Sequence, residues 1–409
     1  MKKIAVITMG VKLDKEKGYT RFRYLSELLA RSGFQVDLIT STFQHWEKAQ
    51  RNINEINLGN YPFGLRFIYE PGYKKNVDLR RVISHKKAAK NLTKLLEEEG
   101  EYDLLYAEIP PNDVALAAAR YAKMKGIPFV ADVNDLWPEA MRMVLDVPIL
   151  SDVLFSSLKR DAKKVYSLVS GVVGTSDEYR DRPLLDQEEK LAESIPRITV
   201  YVGNELETFD KGAKEHADKI EKPEGEFWIG YAGTIGTSYD IKTLVEAAEI
   251  LQCKGYDQFK FKILGDGPTK KEIESYAKEH EIDNVCFMGY TNYDLMAAYL
   301  TKCDILLNSF VKKAPQSIVT KIGDYLSAGK PMINTCMSME FRSKVVCDGF
   351  GINIEPEDKR ILAEAIYTLY EEEDKRKEMG KKARMIAKEQ FDRPHSYQKI
   401  VQLISELVN

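Results

Sequence analysis

Short, near-continuous apolar runs alternate with stretches whose apolar residues fall at helical spacing, along almost the whole chain. Ile4–Thr8 is such a run. Arg21–Ser32 follows with Phe22, Leu25, Leu28 and Leu29 on one helical side, closed by Gly33. Val36–Thr40, Leu104–Ala107, Phe129–Asp132, Gly171–Thr175 and Ile198–Val202 read as further strands, with helices expected at Asn112–Lys125 and Asp152–Leu168. A strand apolar on both faces needs cover on both. In an alternating order that means parallel strands with helices on each side. The expected fold class is therefore α/β, doubly wound.

The alternation stops at Glu205–Glu226, a charged stretch poor in large apolar residues, and restarts at Phe227. Strands are expected at Phe227–Ala232, Phe259–Leu264, Val285–Met288, Ile305–Asn308 and Gly351–Ile354. Helices are expected at Asp240–Cys253, Thr269–His280 and Asp294–Thr301, with more after Asp358. A chain of 409 residues should hold two domains with separate cores. The expected division is a first domain at 1–205, a surface connection at 206–226 and a second domain at 227–390. Open α/β sheets bind ligands at the carboxyl ends of their strands. Two such domains facing a cleft would line it with the loops after Thr8, Asp132, Ala232, Leu264 and Asn308.

Composition removes several classes of function. No apolar run is long enough to span a bilayer, and MKKIAVITMG reads as a first strand, not a secretion signal. Cys253, Cys286, Cys303, Cys336 and Cys347 lack paired spacing, which argues for a reducing compartment and against zinc. The five histidines are isolated too, so no metal site is expected. A net charge of −3 argues against nucleic acid as a partner. The charge is uneven, however. Residues 1–100 carry 19 Lys and Arg against 11 Asp and Glu, and the rest carries 41 against 52. Much of the excess lies in Lys74, Lys75, Arg80, Arg81, Lys86 and Lys87. A helix so charged can lie on an anionic membrane surface or simply present a solvated face. Trp46, Phe63, Phe67 and Tyr73 read either as interfacial aromatics or as core.

The segment Gln316–Thr335, QSIVTKIGDYLSAGKPMINT, reads as a loop, a short helix, a glycine stop at Gly329 and a buried strand at Met332–Asn334. A helix start with Lys321 in its first turn suits an anion, and Asp324 one turn later suits a ribose diol. Together they suit a nucleoside diphosphate; the plain alternative is an amphipathic helix with surface charges. Tyr231–Ser238 and Leu264–Pro268 are glycine turns from strand to helix. Gly233, Gly236, Gly265 and Gly267 either let the backbone approach a ligand or simply make tight turns. Neither turn is a G-x-G-x-x-G element, and no Walker lysine follows. In the first domain, Asp132-Val133-Asn134-Asp135-Leu136-Trp137-Pro138-Glu139 gathers carboxylates, an amide and an indole at a strand end. Sugars are bound by such carboxylates and aromatic faces. Pairing of Asp132 or Asp135 with an arginine is the structural alternative, and Asn204 reads as a turn cap.

In order and separation these pieces resemble the retaining, nucleotide-sugar-dependent glycosyltransferases of family 4, with GT-B architecture. The likeness is carried by YAGTIGTSYDIKTL, ILGDGP, VCFMGY and TKIGDYLSAGKP, and by DVNDLWPE, which resembles an element of members that build cell-surface polysaccharides. The resemblance implies two Rossmann-like domains, the donor held mainly by the second and the acceptor by the first. It implies a C-terminal helix at 391–409 crossing back to the first domain, no metal and no cofactor beyond the donor substrate. The family's paired acidic positions fall on Gln316, which would contact the donor sugar, and on Asp324, which would bind the ribose. Lys321 would meet the donor phosphates, the backbone of Gly233 and Thr234 would share that role, and Ser317 would belong to the donor site. Gly265, Asp266 and the stretch Phe287, Met288 and Tyr290 would line the donor site. Asn134, Asp135 and Trp137 would face the acceptor, with Asp135 orienting its hydroxyl. The expected partners are a nucleotide-diphosphate sugar, a glycan or lipid-linked acceptor and an anionic membrane surface. The expected location is the cytoplasm or the inner face of the cell membrane. Two other readings fit the same architecture: a non-catalytic sugar-nucleotide-binding subunit, and an epimerase or phosphorylase.

Overall fold

Alternate residues of each strand enter opposite cores, and this organises both halves of the chain. The computed structural model describes the protein apart from residues 14, 15, 17, 19, 76, 77, 138–157, 187–193 and 315–317. The chain divides into two units, Met1–Val200 with Tyr397–Asn409, and Tyr201–Ser396.

The first unit contains β1 (Lys3–Ile7), β2 (Gln35–Ser41), a short antiparallel pair β3 (Phe43–Gln44) and β4 (Ala49–Gln50), and β5 (Gly64–Ile68). It continues with β6 (Leu104–Ile109), β7 (Phe129–Val133), β8 (Gly171–Gly174) and β9 (Arg197–Thr199). Among the described residues seven of these form one parallel sheet, in the order β5-β2-β1-β6-β7-β8-β9. Ile4, Val6, Leu38, Leu104, Tyr106 and Val130 pack on one side, with the helices Arg21–Arg31 and Gln398–Val408. Ala5, Ile7, Ile39, Leu105, Ala107 and Ala131 pack on the other, under the helices Leu79–Glu99 and Asn112–Lys125. The edge strand β5 carries exposed Arg66 and has only partial cover, so no continuous apolar run announces it. Phe63 and Tyr73 are buried and Phe67 packs against the same core, so these aromatics are interior residues.

The second unit repeats the plan with β10 (Phe227–Ala232), β11 (Phe259–Leu264), β12 (Val285–Gly289), β13 (Ile305–Asn308), β14 (Met332–Asn334) and β15 (Gly351–Asn353). They form a parallel sheet in the order β12-β11-β10-β13-β14-β15. The chain is thus α/β with two Rossmann-like halves.

Two segments differ from expectation. The stretch 206–226 is not merely a surface connection: Leu206–Glu215 is helical and buries Leu206, Phe209 and Ala213 against the helix Tyr293–Lys302. Three apolar residues at helical spacing suffice to anchor it despite the surrounding charges. Residues 391–408 are not one helix either. The helix Glu373–Ile386 continues as a wide turn through Phe391, Asp392 is extended, and Arg393–Ser396 precedes the returning helix Gln398–Val408. That last helix buries Ile400, Leu403, Ile404 and Val408 in the first unit.

Arg21 joins the start, middle and end of the first unit. Its Nε and Nη2 donate to Asp132 Oδ2 and Oδ1 at 3.0 and 3.1 Å, and both side chains are buried. Its Nη1 donates to the Val200 carbonyl (3.1 Å) and to the Tyr397 hydroxyl (2.9 Å), the last residue before the chain leaves the unit and the first after it returns. Tyr106 OH and Asn134 Nδ2 donate to the same carboxylate at 2.6 and 3.1 Å. Breaking a buried pair on one side leaves an uncompensated charge, at a cost of about 3–5 kcal/mol. Arg21→Met should therefore lower unfolding stability by about that amount, and Arg21→Met/Asp132→Asn should recover part of it, as measured by denaturant titration. Equal stability of Arg21→Met and wild type would show that the pair holds nothing together.

Candidate functional site

At the carboxyl ends of β10, β11 and β12 three turns lie side by side. Gly233 N donates to the Leu264 carbonyl (2.9 Å), Gly265 N to the Gly289 carbonyl (2.8 Å), and Ile235 N to the Asp266 carbonyl (3.0 Å). Gly265 has φ +142°, and a Cβ there would overlap the Gly233 carbonyl oxygen. Gly267 is likewise pressed on the Ile235 backbone. These two glycines are required by the packing of one turn on the other. Thr234, Asp266 and Tyr290 are exposed on this rim, whereas Phe287 and Met288 are half-buried and pack into the cores.

The helix Lys321–Ser327 lies against the same strand ends. Tyr325 fastens it: its hydroxyl accepts from Ala232 N (2.8 Å) and donates to the Ala232 carbonyl (3.1 Å). That contact brings Lys321 beside Gly233. Lys321 Nζ is buried, has no hydrogen-bond partner among the described residues, and lies 4.3, 4.4, 5.3 and 5.8 Å from the ring centres of Tyr231, Tyr239, Phe310 and Tyr325. A desolvated cation–π contact returns about 2 kcal/mol, less than the several kcal/mol lost when an ammonium leaves water. Burial accordingly pulls the amine down to about 7, opposed weakly by the Cys336 thiol.

Asp324, one turn on, is half-buried. Its Oδ1 accepts from Tyr293 OH (2.7 Å) and Asn204 Nδ2 (2.8 Å), and Asn204 also reaches Ser327 Oγ (3.1 Å). Asn204 is therefore a partner of the carboxylate, not a turn cap. Burial raises the Asp324 carboxyl above its ordinary range, while the bonds from Tyr293 and Asn204 and the charge of Arg393 draw it back. Gln316 and Ser317, expected beside this helix, lie outside the described residues. The helix is only seven residues long, so Lys321 and the turn backbones, more than a helix dipole, set the local potential.

In the first unit the expected acceptor residues divide by role. Asp132 is the core partner of Arg21, and Asn134 props it. Asp135 accepts from Leu136 N (2.9 Å) and faces the charge of Arg81. Trp137 is buried, and the face expected to meet a sugar carries the Arg81 guanidinium at 4.5 Å. Arg81 also lies over Tyr73 at 5.2 Å and is half-buried, so it is not one of the free surface cations; aromatic rings on both sides draw it inward. Lys74, Lys75, Arg80, Lys86 and Lys87 are exposed, together with the apolar side chains of Leu79 and Ile83.

Sequence reading missed Glu108. It ends β6 beside Thr8 at the end of β1 and Asp132 on β7, the three on one face. Its Oε2 accepts from Thr8 Oγ1 (2.6 Å) and Met9 N (3.2 Å), and it has no ion-pair partner among the described residues. A Cβ at neighbouring Gly10 would stand 3.1 Å from the Trp46 ring and 3.7 Å from Glu108 Oε1, so the glycine lets the indole approach closely. Burial, with the Asp132 charge adding to it against the Thr8 and backbone bonds, pushes the Glu108 carboxyl up to about 7. The only signal was a carboxylate at the end of an apolar strand, which the sequence gives no way to separate from a paired one.

The fold, two Rossmann-like halves with parallel sheets, is the GT-B architecture. Residues 212–385 match the family described as glycosyl transferases group 1. The uncharacterized glycosyltransferase MJ1178 of Methanocaldococcus jannaschii is 23% identical over 220 residues, 51% of this chain and 57% of that protein. The chain thus spans little more than half of that relative. Among solved structures, Anabaena Alr3699/HepE in complex with UDP is similar over 100% of both chains, with TM-score 0.70 and 16% identity. WaaG, a glycosyltransferase of lipopolysaccharide biosynthesis, is similar over 98% of this chain and 99% of its own, with TM-score 0.65 and 14% identity.

The Glu108 carboxyl gives a measurable signature. Between its unfolded value near 4.5 and its folded value near 7 the folded protein binds the extra proton, so this group's contribution to stability falls as pH rises. Glu108→Gln removes that dependence. The melting temperature of the variant relative to wild type should rise from pH 5 to pH 8; a constant difference would show that Glu108 titrates normally.

Proposed function

We propose that the protein is a retaining glycosyltransferase of family 4 that moves a sugar from a nucleoside-diphosphate donor, a UDP-sugar for preference, to a glycan or polyprenyl-linked glycan in cell-surface polysaccharide synthesis. The observation that carries this reading is a counter-ion-free lysine, Lys321, beside the Gly233 turn, one helical turn from the Asp324 carboxylate and inside the stretch matched to the group 1 family. The complexes of the structural neighbour HepE with UDP support UDP as the nucleotide to try first.

Transfer through an oxocarbenium-like state builds negative charge on the departing diphosphate. Lys321 and the backbone N–H of Thr234 stabilise that charge, since Gly233 N is already bonded to Leu264, and Asp324 receives the ribose diol. Gln316 contacts the donor sugar and Ser317 belongs to the donor side. On the acceptor side Asp135 orients the attacking hydroxyl, with Asn134 and Trp137 supporting the loop that carries it, and the diphosphate itself takes up the hydroxyl proton. No metal ion is required in this scheme.

Thermal shift with UDP, GDP, CDP, ADP and dTDP tests the donor assignment, because a ligand that binds only the folded state raises its melting temperature. One nucleotide should stabilise wild type and lose its effect in Asp324→Ala. Lys321→Ala and Asp324→Ala should each lower transfer by about 100-fold or more with folding retained; unchanged turnover in both would sink the assignment.

The exposed Leu79 and Ile83, set among Lys74, Lys75, Arg80, Lys86 and Lys87, favour docking on the anionic inner face of a membrane. No helix of the described residues is long and apolar enough to cross one. Co-sedimentation with vesicles containing anionic lipid should be salt-sensitive and should drop several-fold in Leu79→Ser/Ile83→Ser. Pelleting that ignores both lipid charge and salt would count against the membrane reading.

A further inference from the structure

Lys321 is held in an unusual way for a residue assigned to meet phosphates. Among the described residues its nitrogen makes no hydrogen bond and no ion pair; it faces four aromatic rings from different parts of the second unit. Tyr231 is on β10, Tyr239 follows the next turn, Phe310 follows β13, and Tyr325 is on the same helix as Lys321. The titratable groups facing it are the phenols of Tyr231, Tyr239 and Tyr325 and the thiol of Cys336. Burial raises all three phenols, so they remain uncharged and give the lysine no anion. Tyr231 and Tyr325 are themselves fixed, Tyr231 OH donating to the Thr234 carbonyl (2.7 Å) and Tyr325 bonding Ala232. The box is therefore built by the strand-end turn, and its open neighbour is Gly233, whose missing side chain would stand 3.6 Å from Lys321 Cδ.

Ring faces favour the charged amine, but with no acceptor they do not repay its lost hydration, so such a box lets the amine shed its proton readily. Beside a diphosphate the balance reverses, because the charged form then gains both an ion pair and hydrogen bonds. We propose that Lys321 rests in the aromatic box with its amine readily deprotonated, and that a nucleoside diphosphate arriving at the Gly233 turn draws it out as an ammonium, so that donor binding takes up to one proton from solvent. The step is an addition of H⁺ to the Nζ lone pair; no other bond changes. This rests on the donor-site reading above and adds to it a resting state and a proton.

The amine near 7 in the free protein and near its ordinary 10.5 beside phosphate sets the size of the effect. Isothermal titration with UDP, in pairs of buffers of different ionisation enthalpy, reads the proton count directly. Uptake should be about half a proton per UDP at pH 7 and close to one at pH 8.5. UDP affinity should fall about tenfold per pH unit above 7, since the free base must then be charged before it binds. The terminal phosphate of UDP ionises near pH 6 and adds little in this window. Lys321→Met fills the box without a titratable group. It should melt no lower than wild type and bind UDP more weakly with no proton uptake, and its affinity should be independent of pH between 7 and 9. UDP binding to wild type without proton uptake would overturn the proposal and leave the donor reading standing. Uptake that persisted in Lys321→Met would overturn it as well. Absence of binding by UDP and by the other four nucleoside diphosphates would remove the donor reading, and the proposal with it.

Discussion

The ion pair between Arg21 and Asp132 is the contact on which the first unit depends. Each oxygen of the carboxylate takes one guanidinium N–H, and the remaining donors of Arg21 hold the points where the chain departs at Val200 and returns at Tyr397. The helix at the end of the chain packs Ile400, Leu403, Ile404 and Val408 into this core, and one buried cation ties Tyr397, just before it, to the centre of the sheet. The pair is costly to desolvate, and the hydrogen bonds from Tyr106 and Asn134 to Asp132 offset part of that cost. The same carboxylate raises its neighbour Glu108, so a structural pair also shapes the electrostatics at the rim of the sheet.

The second unit is organised around close backbone approach. Gly265 and Gly267 allow two strand-end turns to lie directly on each other, and Tyr325 pins the helix Lys321–Ser327 to the end of β10. Two ionisable groups one turn apart then meet different surroundings. Asp324 is supplied with donors from Tyr293 and Asn204, while Lys321 is supplied with ring faces and no acceptor. Both are half-buried, and of the two only the lysine nitrogen has no hydrogen-bond partner among the described residues.

Much of the fold was legible in the chain. Phe227–Ala232, Phe259–Leu264 and Ile305–Asn308 were apolar enough to be bounded without help, and Gly126 and Gly329 stopped their helices as glycines with positive φ do. β5 was not legible, because an edge strand with Arg66 on its open side has no apolar continuity. The helix Leu206–Glu215 was masked by its charges, although Leu206, Phe209 and Ala213 are buried. Of the candidate site, Lys321 and Asp324 stood out by position in a short helix. Their partners did not: Tyr293 and Asn204 lie far from Asp324 in sequence, and the box around Lys321 is drawn from four separate segments.

The chain by itself determined two α/β halves and their parallel strands, because periodicity and glycine stops are local properties that burial of apolar area enforces. It also determined which residue types stand at the strand ends. Only tertiary structure decided what each charge does. Asp132 became a core anchor because Arg21 reaches it across the sheet, Trp137 lost its open face to Arg81, and Lys321 was left without an acceptor among aromatic rings. Whether a charged group is paired, covered or poised for a ligand depends on desolvation and on neighbours distant in sequence, and those are set only when the strands and helices have packed.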